Sequence, residues 1–157
     1  MTNDLDDTYL NKALELSSKS IKIGGFPVGV VIISDGLVLS EAVSNGKQLN
    51  DPTSHAEIAA IREAALKLKT RNLSNSVLYS SMEPCLMCYG ATVWASIPRV
   101  IFACSRDKLS KMHFEGHHQL KDINNLTRKP IELVHYSKLE STALKIIEDW
   151  EKSLQKS

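Results

Sequence analysis

The chain has 157 residues, of which 43% are hydrophobic and 24% are charged. This length and composition predict one folded domain over residues 1–157 and argue against disorder. Lys and Arg number 19 and Asp and Glu number 18, so the net charge of +1 excludes a protein that binds nucleic acid mainly through its charge. Three cysteines are too few for a disulfide scaffold and indicate a reducing compartment.

The acidic start of the chain, residues 1–7, has neither the basic region nor the apolar region of a signal peptide. The longest apolar run covers only residues 28–33, far short of the ~20 residues that span a membrane. We therefore expect a cytoplasmic protein with no membrane partner.

The first predicted element is a helix that Asp6 and Asp7 can cap and that ends at Gly24 and Gly25. Residues at helical spacing in this segment predict a buried stripe, made of Leu10, Ala13, Leu14, Ser17 and Ile21. The β-branched run at residues 28–33 then predicts a buried strand. The alternating residues 37–43 predict its hairpin partner.

Helices and strands continue to alternate in the rest of the chain. Predicted helices cover residues 54–69, 84–96 and 139–154, and predicted strands cover residues 77–79, 99–103 and 131–136. Pro84 would occupy the first position of its helix, where proline is favoured. This order predicts an α/β fold in which helices cover both faces of one sheet.

Two short segments, each at the predicted start of a helix, carry residues with metal chemistry. The first contains His55 and the second contains Cys85 and Cys88. Cysteines three positions apart share one face of a helix, and two thiolates with one imidazole suit Zn²⁺. Three ligands rather than four indicate a catalytic zinc that keeps one position for water. Taken alone, the cysteine pair also fits a redox pair or half of a structural zinc site.

Glu57 follows His55 by two positions, so we expect it to reach the zinc-activated water rather than the ion. A carboxylate in that place can take a proton from water and deliver it to a substrate nitrogen. Ser54 and Glu57 also have the spacing of a capping box, which would give Glu57 only a structural role.

Together, the H-A-E and P-C-L-M-C segments around His55 and Cys85 match the signature of zinc nucleobase deaminases. From about residue 24 to residue 103 the chain resembles the cytidine-deaminase-like superfamily. The resemblance is to the branch of guanine deaminases, cytosine deaminases and tRNA adenosine deaminases. It implies a three-layer α/β/α sandwich with a five-stranded mixed sheet, one zinc per chain, and a homodimer with active sites near the interface.

The same resemblance implies a set of substrate contacts. Asn45 matches an asparagine that family members place against the substrate, although Asn45-Gly46 is also a turn pair. The backbone of Ala56 matches a group that contacts the base. Trp94 matches the guanine-deaminase pattern, although it could equally pack its helix against the sheet. Phe114 and Glu115 match an aromatic-acidic segment that completes the pocket.

The substrate prediction is a guanine-type purine, as a base or nucleoside, with release of ammonia. Two departures weaken it. Glu115-Gly116 stands where guanine deaminases tend to carry two aspartates, and Val28 stands where they tend to carry phenylalanine, in a P-V-G segment that is more similar to the tRNA enzymes. Acidic and basic residues mix along the last helix, which favours a small substrate over an anticodon loop. The alternatives are a tRNA adenosine-to-inosine deaminase, a cytosine deaminase, and a non-catalytic zinc-stabilised binding module.

Three histidines flank Glu115 in a predicted loop: His113, His117 and His118. They could form a second metal site, or they could lie at the pocket rim or on the surface. Cys104 ends a predicted strand and is most simply a core residue.

Overall fold

The computed structural model describes residues 4–157, so Met1, Thr2 and Asn3 of the acidic start lie outside the described residues. The strands are β1 (Gly29–Ser34), β2 (Leu37–Val43), β3 (Ser76–Met82), β4 (Arg99–Cys104) and β5 (Glu132–His135). The α-helices are α1 (Asp4–Lys22), α2 (Gly46–Leu49), α3 (Ala56–Leu68), α4 (Leu86–Trp94), α5 (Leu120–Leu126) and α6 (Glu140–Leu154). The short α2 and α5 were not predicted from the sequence.

The five strands form one mixed sheet in the order β2-β1-β3-β4-β5. β1 is antiparallel to both β2 and β3, whereas β3, β4 and β5 run parallel. This arrangement confirms the predicted five-stranded mixed sheet. It also brings the start of β1 and the ends of β2, β3 and β4 to one edge of the sheet, because Gly29 pairs with Val43 and Met82 pairs with Cys104.

Helices cover both faces of the sheet, as predicted. Val31 and Ile33 of β1 pack into a cluster with residues of α1 and α6, and Val30 and Ile32 pack into a second cluster with residues of α3 and α4. Successive strand residues point to opposite faces, so the apolar run of β1 is explained by burial on both sides.

A close approach of α1 to β1 requires glycine at position 29. A Cβ at Gly29 would lie 2.2 Å from the carbonyl oxygen of Ala13 and 2.5 Å from the Leu16 Cβ. The backbone N–H of Gly29 donates to Ser81 Oγ at 3.0 Å. The missing side chain therefore lets α1 settle against the start of β1, next to the edge where three other strands end.

The predicted capping role of Asp6 and Asp7 is wrong, because α1 already begins at Asp4. Asp6 is buried and accepts a hydrogen bond from the Tyr79 hydroxyl at 2.7 Å. Asp7 accepts one from the Tyr136 hydroxyl at 3.2 Å. Both carboxylates therefore accept hydrogen bonds from tyrosines outside α1, instead of from the backbone N–H groups of α1.

The helix that follows β3 begins later than predicted. Cys85 is the N-cap of α4, with the extended backbone angles φ −71° and ψ 171°, so Pro84 precedes the helix rather than opening it. His55 is likewise the N-cap of α3. Within residues 4–157, no helix is both long enough and apolar enough to cross a membrane.

Candidate metal centre and active site

The three predicted zinc ligands come together at the starts of two helices. His55 Nδ1 lies 3.6 Å from Cys85 Sγ and 3.6 Å from Cys88 Sγ. His55 and Cys85 are N-caps whose side chains make no cap hydrogen bond, so their donor atoms face one another rather than the backbone of their helices. Cys88 lies in the first turn of α4 and is fully buried. Two helix N-termini therefore face one cluster of donor atoms, where their dipoles favour negative charge.

The two thiols differ in their protonation. A hydrogen bond from Cys88, helped by one from His55, lowers the pKa of Cys85 to about 4. The same bond to Cys85, together with burial and the nearby Glu57, raises the pKa of Cys88. The hydrogen bond to Cys85 also raises the pKa of His55. These shifts favour the thiolate form of Cys85, which is the form that ligates a metal.

This donor set fits zinc. One ring nitrogen and two sulfurs all lie within 4.8 Å of one another, and two cysteines with one histidine form a known catalytic zinc set. Among residues 4–157, no further His, Cys, Asp or Glu belongs to this group. Three protein ligands leave a tetrahedral position for water or substrate, and a bound cation would keep both thiols deprotonated.

Glu57 lies beside this cluster and is 3% exposed. Cys88 Sγ donates to Glu57 Oε2 at 3.4 Å, and burial raises the pKa of Glu57 to about 7. The capping-box interpretation is wrong, because the N-cap is His55 and the Ser54 hydroxyl donates instead to Asn45 Oδ1 at 2.6 Å. A buried carboxyl group with a raised pKa beside a metal site can exchange protons near neutral pH.

A cavity of about 330 Å³ opens at this cluster. It lies at the edge where β1 starts and β2 and β3 end, and a loop after β4 closes it. The residues that line it are Phe26, Val28, Ser44, His55, Ala56, Glu57, Met82, Glu83, Cys85, Met112, His113, Phe114 and Glu115. The structure therefore places four predicted substrate or catalytic residues on one cavity: Ala56, Glu57, Phe114 and Glu115.

Phe114 and Glu115 are held by charged and backbone groups. The Arg106 guanidinium carbon lies 4.2 Å from the centre of the Phe114 ring, a cation–π contact. Glu115 Oε1 accepts the backbone N–H of Leu86 at 2.6 Å, which satisfies a free donor at the start of α4. The loop that carries both residues is thus tied to the helix that carries Cys85.

Asn45 and Trp94 occupy different places from the other predicted contacts. Asn45 lies directly after Ser44, and its side chain is bonded to Ser54 rather than lining the cavity. Trp94 is 87% exposed and lines a separate depression between α3 and α4. It does not pack its helix against the sheet, and the predicted contacts of Asn45 and Trp94 with substrate stay predictions.

Several cavity residues were not predicted as site residues, notably Phe26, Met82, Glu83 and Met112. Phe26 lies in the G-F-P-V-G segment that carried the family resemblance, which was the only sequence signal for it. His113 lines the cavity, whereas His117 is exposed and His118 pairs with Glu115 at 3.4 Å. Within the described part of the chain the three histidines form no second metal cluster.

The geometry predicts that zinc binding depends on Cys88 but not on Cys104. We expect about one zinc per wild-type chain, and a loss of at least about 10-fold in zinc affinity for Cys88→Ala, because only two ligands remain. Cys104→Ala is the matched control, because Cys104 is also buried and free but lies outside the cluster. Metal analysis by mass spectrometry after competition with a chelator measures both. Equal zinc retention in the two variants would contradict the assigned ligand set.

Known proteins with similar sequences support the assignment of a zinc site. Residues 3–104 match the family model of the cytidine and deoxycytidylate deaminase zinc-binding region. The guanine deaminase of Bacillus subtilis is 37% identical over 127 residues, which are 80% of this chain and 79% of the relative. A tRNA-specific adenosine deaminase of Aquifex aeolicus is 39% identical over 105 residues, 67% of each chain.

The fold is shared with solved deaminases as well. The guanine deaminase of Nitrosomonas europaea superimposes with a TM-score of 0.80 at 25% identity, over 90% of this chain and 82% of that chain. These relatives are zinc-dependent deaminases, which hydrolyse a C–N bond and release ammonia. The chain therefore belongs to the cytidine and deoxycytidylate deaminase family.

Proposed function

We propose that the substrate is a free nucleobase, with a guanine-type purine preferred. The observation that carries this proposal is the cavity itself, in which His55, Cys85 and the buried Glu57 share walls with Phe26, Val28 and Phe114. Apolar walls with a few polar groups are typical of pockets for small flat ligands. We further propose that residues 1–157 act as one deaminase domain in the cytoplasm, in keeping with three free cysteines.

Glu57 is the proposed proton carrier of the reaction. Zinc, when bound, is a Lewis acid that lowers the pKa of a water ligand to ~7. Glu57 Oε2 takes a proton from the attacking water and delivers it to a ring nitrogen of the base. The hydroxide oxygen then forms a C–O bond at the amino-bearing carbon. Glu57 takes the proton of this new hydroxyl and gives it to the amino group, so that a carbonyl forms, the C–N bond breaks and ammonia leaves.

Other residues are proposed to hold the base in place. Ala56 is the first residue of α3, so its backbone N–H has no partner within the helix and can donate to the base. The ring of Phe114 offers a stacking surface, and the second carboxylate oxygen of Glu115 can accept an N–H. Asn45, beside the cavity residue Ser44, is proposed to contact the base once its bond to Ser54 rearranges.

Two features favour a free base over a tRNA. The side chain of Trp150 on α6 lies 5.5 Å, ring centre to ring centre, from Phe26 at the cavity, so the last helix crowds the mouth of the site. The surface of α6 carries mixed charges, among them the Lys145–Asp149 pair at 2.7 Å, and offers no basic track for phosphates. A tRNA substrate is the second candidate, supported by the Aquifex aeolicus relative and by Val28.

A substrate panel tests the proposal. We expect kcat/KM for ammonia release from guanine to exceed the values for guanosine, adenine, cytosine and an anticodon stem-loop by at least about 10-fold. A pocket whose acceptor groups pair with the N–H groups of one base rejects bases that lack those N–H groups. Coupled detection of ammonia measures all five. Release from the stem-loop alone would establish the tRNA alternative, and release from none would favour a non-catalytic zinc module.

Glu57→Gln tests the proton-transfer role. The amide fills the same volume but cannot accept and return a proton, so kcat should fall by roughly 10² to 10⁴-fold with zinc content unchanged. Glu63→Gln on the same helix is the control, because the Glu63 side chain is 45% exposed, pairs with Lys67 at 3.0 Å and does not line the cavity. Full activity of Glu57→Gln would refute the assigned mechanism.

We also propose that the enzyme is a homodimer that pairs through α3 and α4. Exposed apolar side chains cluster on this face, with Trp94 at 87% and Leu66 at 78% exposure. They border a depression whose lining includes the apolar residues Ile58, Ile61, Ala65 and Ala91 and the basic residues Arg62 and Arg71. The face continues to Leu86 and Met87, which adjoin the zinc ligands, so a second copy here would lie next to the active site.

Trp94→Ser should weaken this dimer by at least about 10-fold, because a large aromatic side chain at an interface contributes much of the binding energy. Light scattering should give a wild-type mass of twice 17.4 kDa and a shift toward the monomer for the variant. Leu126→Ser is the matched control, since Leu126 is 86% exposed but lies on α5. A monomeric wild-type protein would refute the proposal.

A further inference from the structure

We propose that Arg106 is a positioning residue for the substrate: its guanidinium stacks on one face of the Phe114 ring and so holds the opposite face ready for the base. This inference rests on the proposed deamination of a free base, in which Phe114 offers a stacking surface. It assigns a function to a buried charge that the proposed mechanism does not use, and it places one determinant of base affinity outside the zinc cluster.

The first observation is a buried charge without a counterion. Arg106 begins a short 3-10 turn just after β4 and is 7% exposed. Among residues 4–157, carboxylates pair with Arg62 and Arg99 but not with Arg106, and the Nη1 atom of Arg106 has no hydrogen-bond partner. Burying a charge without a paired opposite charge costs free energy. An apolar side chain would fill this space at a lower cost, so the filling of space does not explain Arg106.

The second observation is what the guanidinium contacts. Its central carbon lies 4.2 Å from the centre of the Phe114 ring, within the range of a cation–π interaction. Its Nη2 atom donates to the backbone carbonyl of Gly116 at 3.4 Å. The planar guanidinium can stack on a ring and donate a hydrogen bond at the same time. One side chain therefore fixes both the tilt of the Phe114 ring and the backbone two residues later.

The third observation is that Arg106 is itself anchored. Its backbone N–H donates to Glu83 Oε2 at 2.9 Å, and Glu83 is buried just after β3. The preceding Ser105 donates its backbone N–H to Glu140 Oε2 at 3.1 Å, and Glu140 is the first residue of α6. Glu83 also lies two residues before Cys85 in the chain. The residue that supports Phe114 is thus fixed relative to the zinc cluster.

The fourth observation concerns the surroundings of Phe114. This residue is partly buried and lines the substrate cavity, and it also lines a smaller cavity of about 100 Å³ whose walls include Arg106. Arg106 does not line the substrate cavity. Phe114 therefore borders both, and a base can stack only on the ring face that Arg106 leaves uncovered. A ring that is already held in place costs a binding base less conformational entropy than a mobile ring.

Three single variants and one double variant test the inference. Arg106→Met keeps the length of the side chain but removes its charge, and Arg106→Lys keeps the charge without the planar group. Phe114→Leu keeps an apolar side chain but removes the ring, and the double variant combines Arg106→Met with Phe114→Leu. Arg99→Met is the matched control, because Arg99 on β4 pairs with Glu132 and Asp6 and lines neither cavity. The probe is steady-state deamination of whichever base the wild type deaminates fastest among guanine, adenine and cytosine.

KM should rise by about 10-fold in Arg106→Met, because a buried cation–π contact is lost, and by about 3-fold in Arg106→Lys, which keeps the charge. It should rise by at least about 10-fold in Phe114→Leu, because a stacked base loses its aromatic partner. In the double variant, KM should lie within about 2-fold of that in Phe114→Leu, because Arg106 acts through the ring. Zinc content and kcat should change little in every variant, and Arg99→Met should have the KM of the wild type.

Other outcomes overturn the inference. An unchanged KM in Arg106→Met or in Phe114→Leu rejects the proposed role, and effects that multiply in the double variant show that Arg106 acts independently of the ring. A KM that rises equally in Arg99→Met shows only a general loss of structure.

If Arg106→Met does not fold, Arg106→Lys decides. Its effect of about 3-fold on KM should be present in the wild-type background and absent in the Phe114→Leu background, and any other pattern refutes the inference. A wild type that deaminates none of the three bases refutes the proposed function and this inference together. An active wild type whose variants show one of the contrary patterns refutes the inference alone.

Discussion

The meeting of two helix N-termini at one edge of the sheet is the constraint on which the site depends. His55 and Cys85 are the N-caps of α3 and α4, and Cys88 follows one turn later. An N-cap residue has an extended backbone, so its side chain projects away from the helix body and toward the opposite helix. Any shift of α3 against α4 would separate the imidazole from the thiols, and so both helices must be fixed by the face of the sheet on which they pack side by side.

The sheet provides that fixation through burial on both faces. β3 leads directly into the segment that carries Cys85, and the backbone N–H of Glu83 donates to the Cys104 carbonyl at the end of β4 at 2.8 Å. The same edge receives the start of β1 and the end of β2. Glu57 is buried at this edge, and the cost of desolvating its charged form shows as a raised pKa of its carboxyl group.

The sequence predicted the sheet and the long helices well but placed their boundaries less well. Runs such as residues 28–33 and the spacing of Leu10, Ala13 and Leu14 are local patterns, so β1 and α1 could be recognised without a structure. The capping role predicted for Asp6 was wrong because its carboxylate accepts a hydrogen bond from Tyr79, which is 73 residues away. The first helical position predicted for Pro84 was wrong because the next residue, Cys85, is the N-cap of α4.

By itself the sequence determined the chemistry of the centre. His55, Glu57, Cys85 and Cys88 lie in two short segments, and their spacing within each segment is set by helix geometry. Only the tertiary structure decided what surrounds that centre. His113 meets Glu151 across 38 residues and Phe26 meets Trp150 across the length of the chain, and no local pattern encodes such contacts. The position of Trp94 away from the cavity was likewise settled by packing, because helical periodicity defines a face but not what that face will contact.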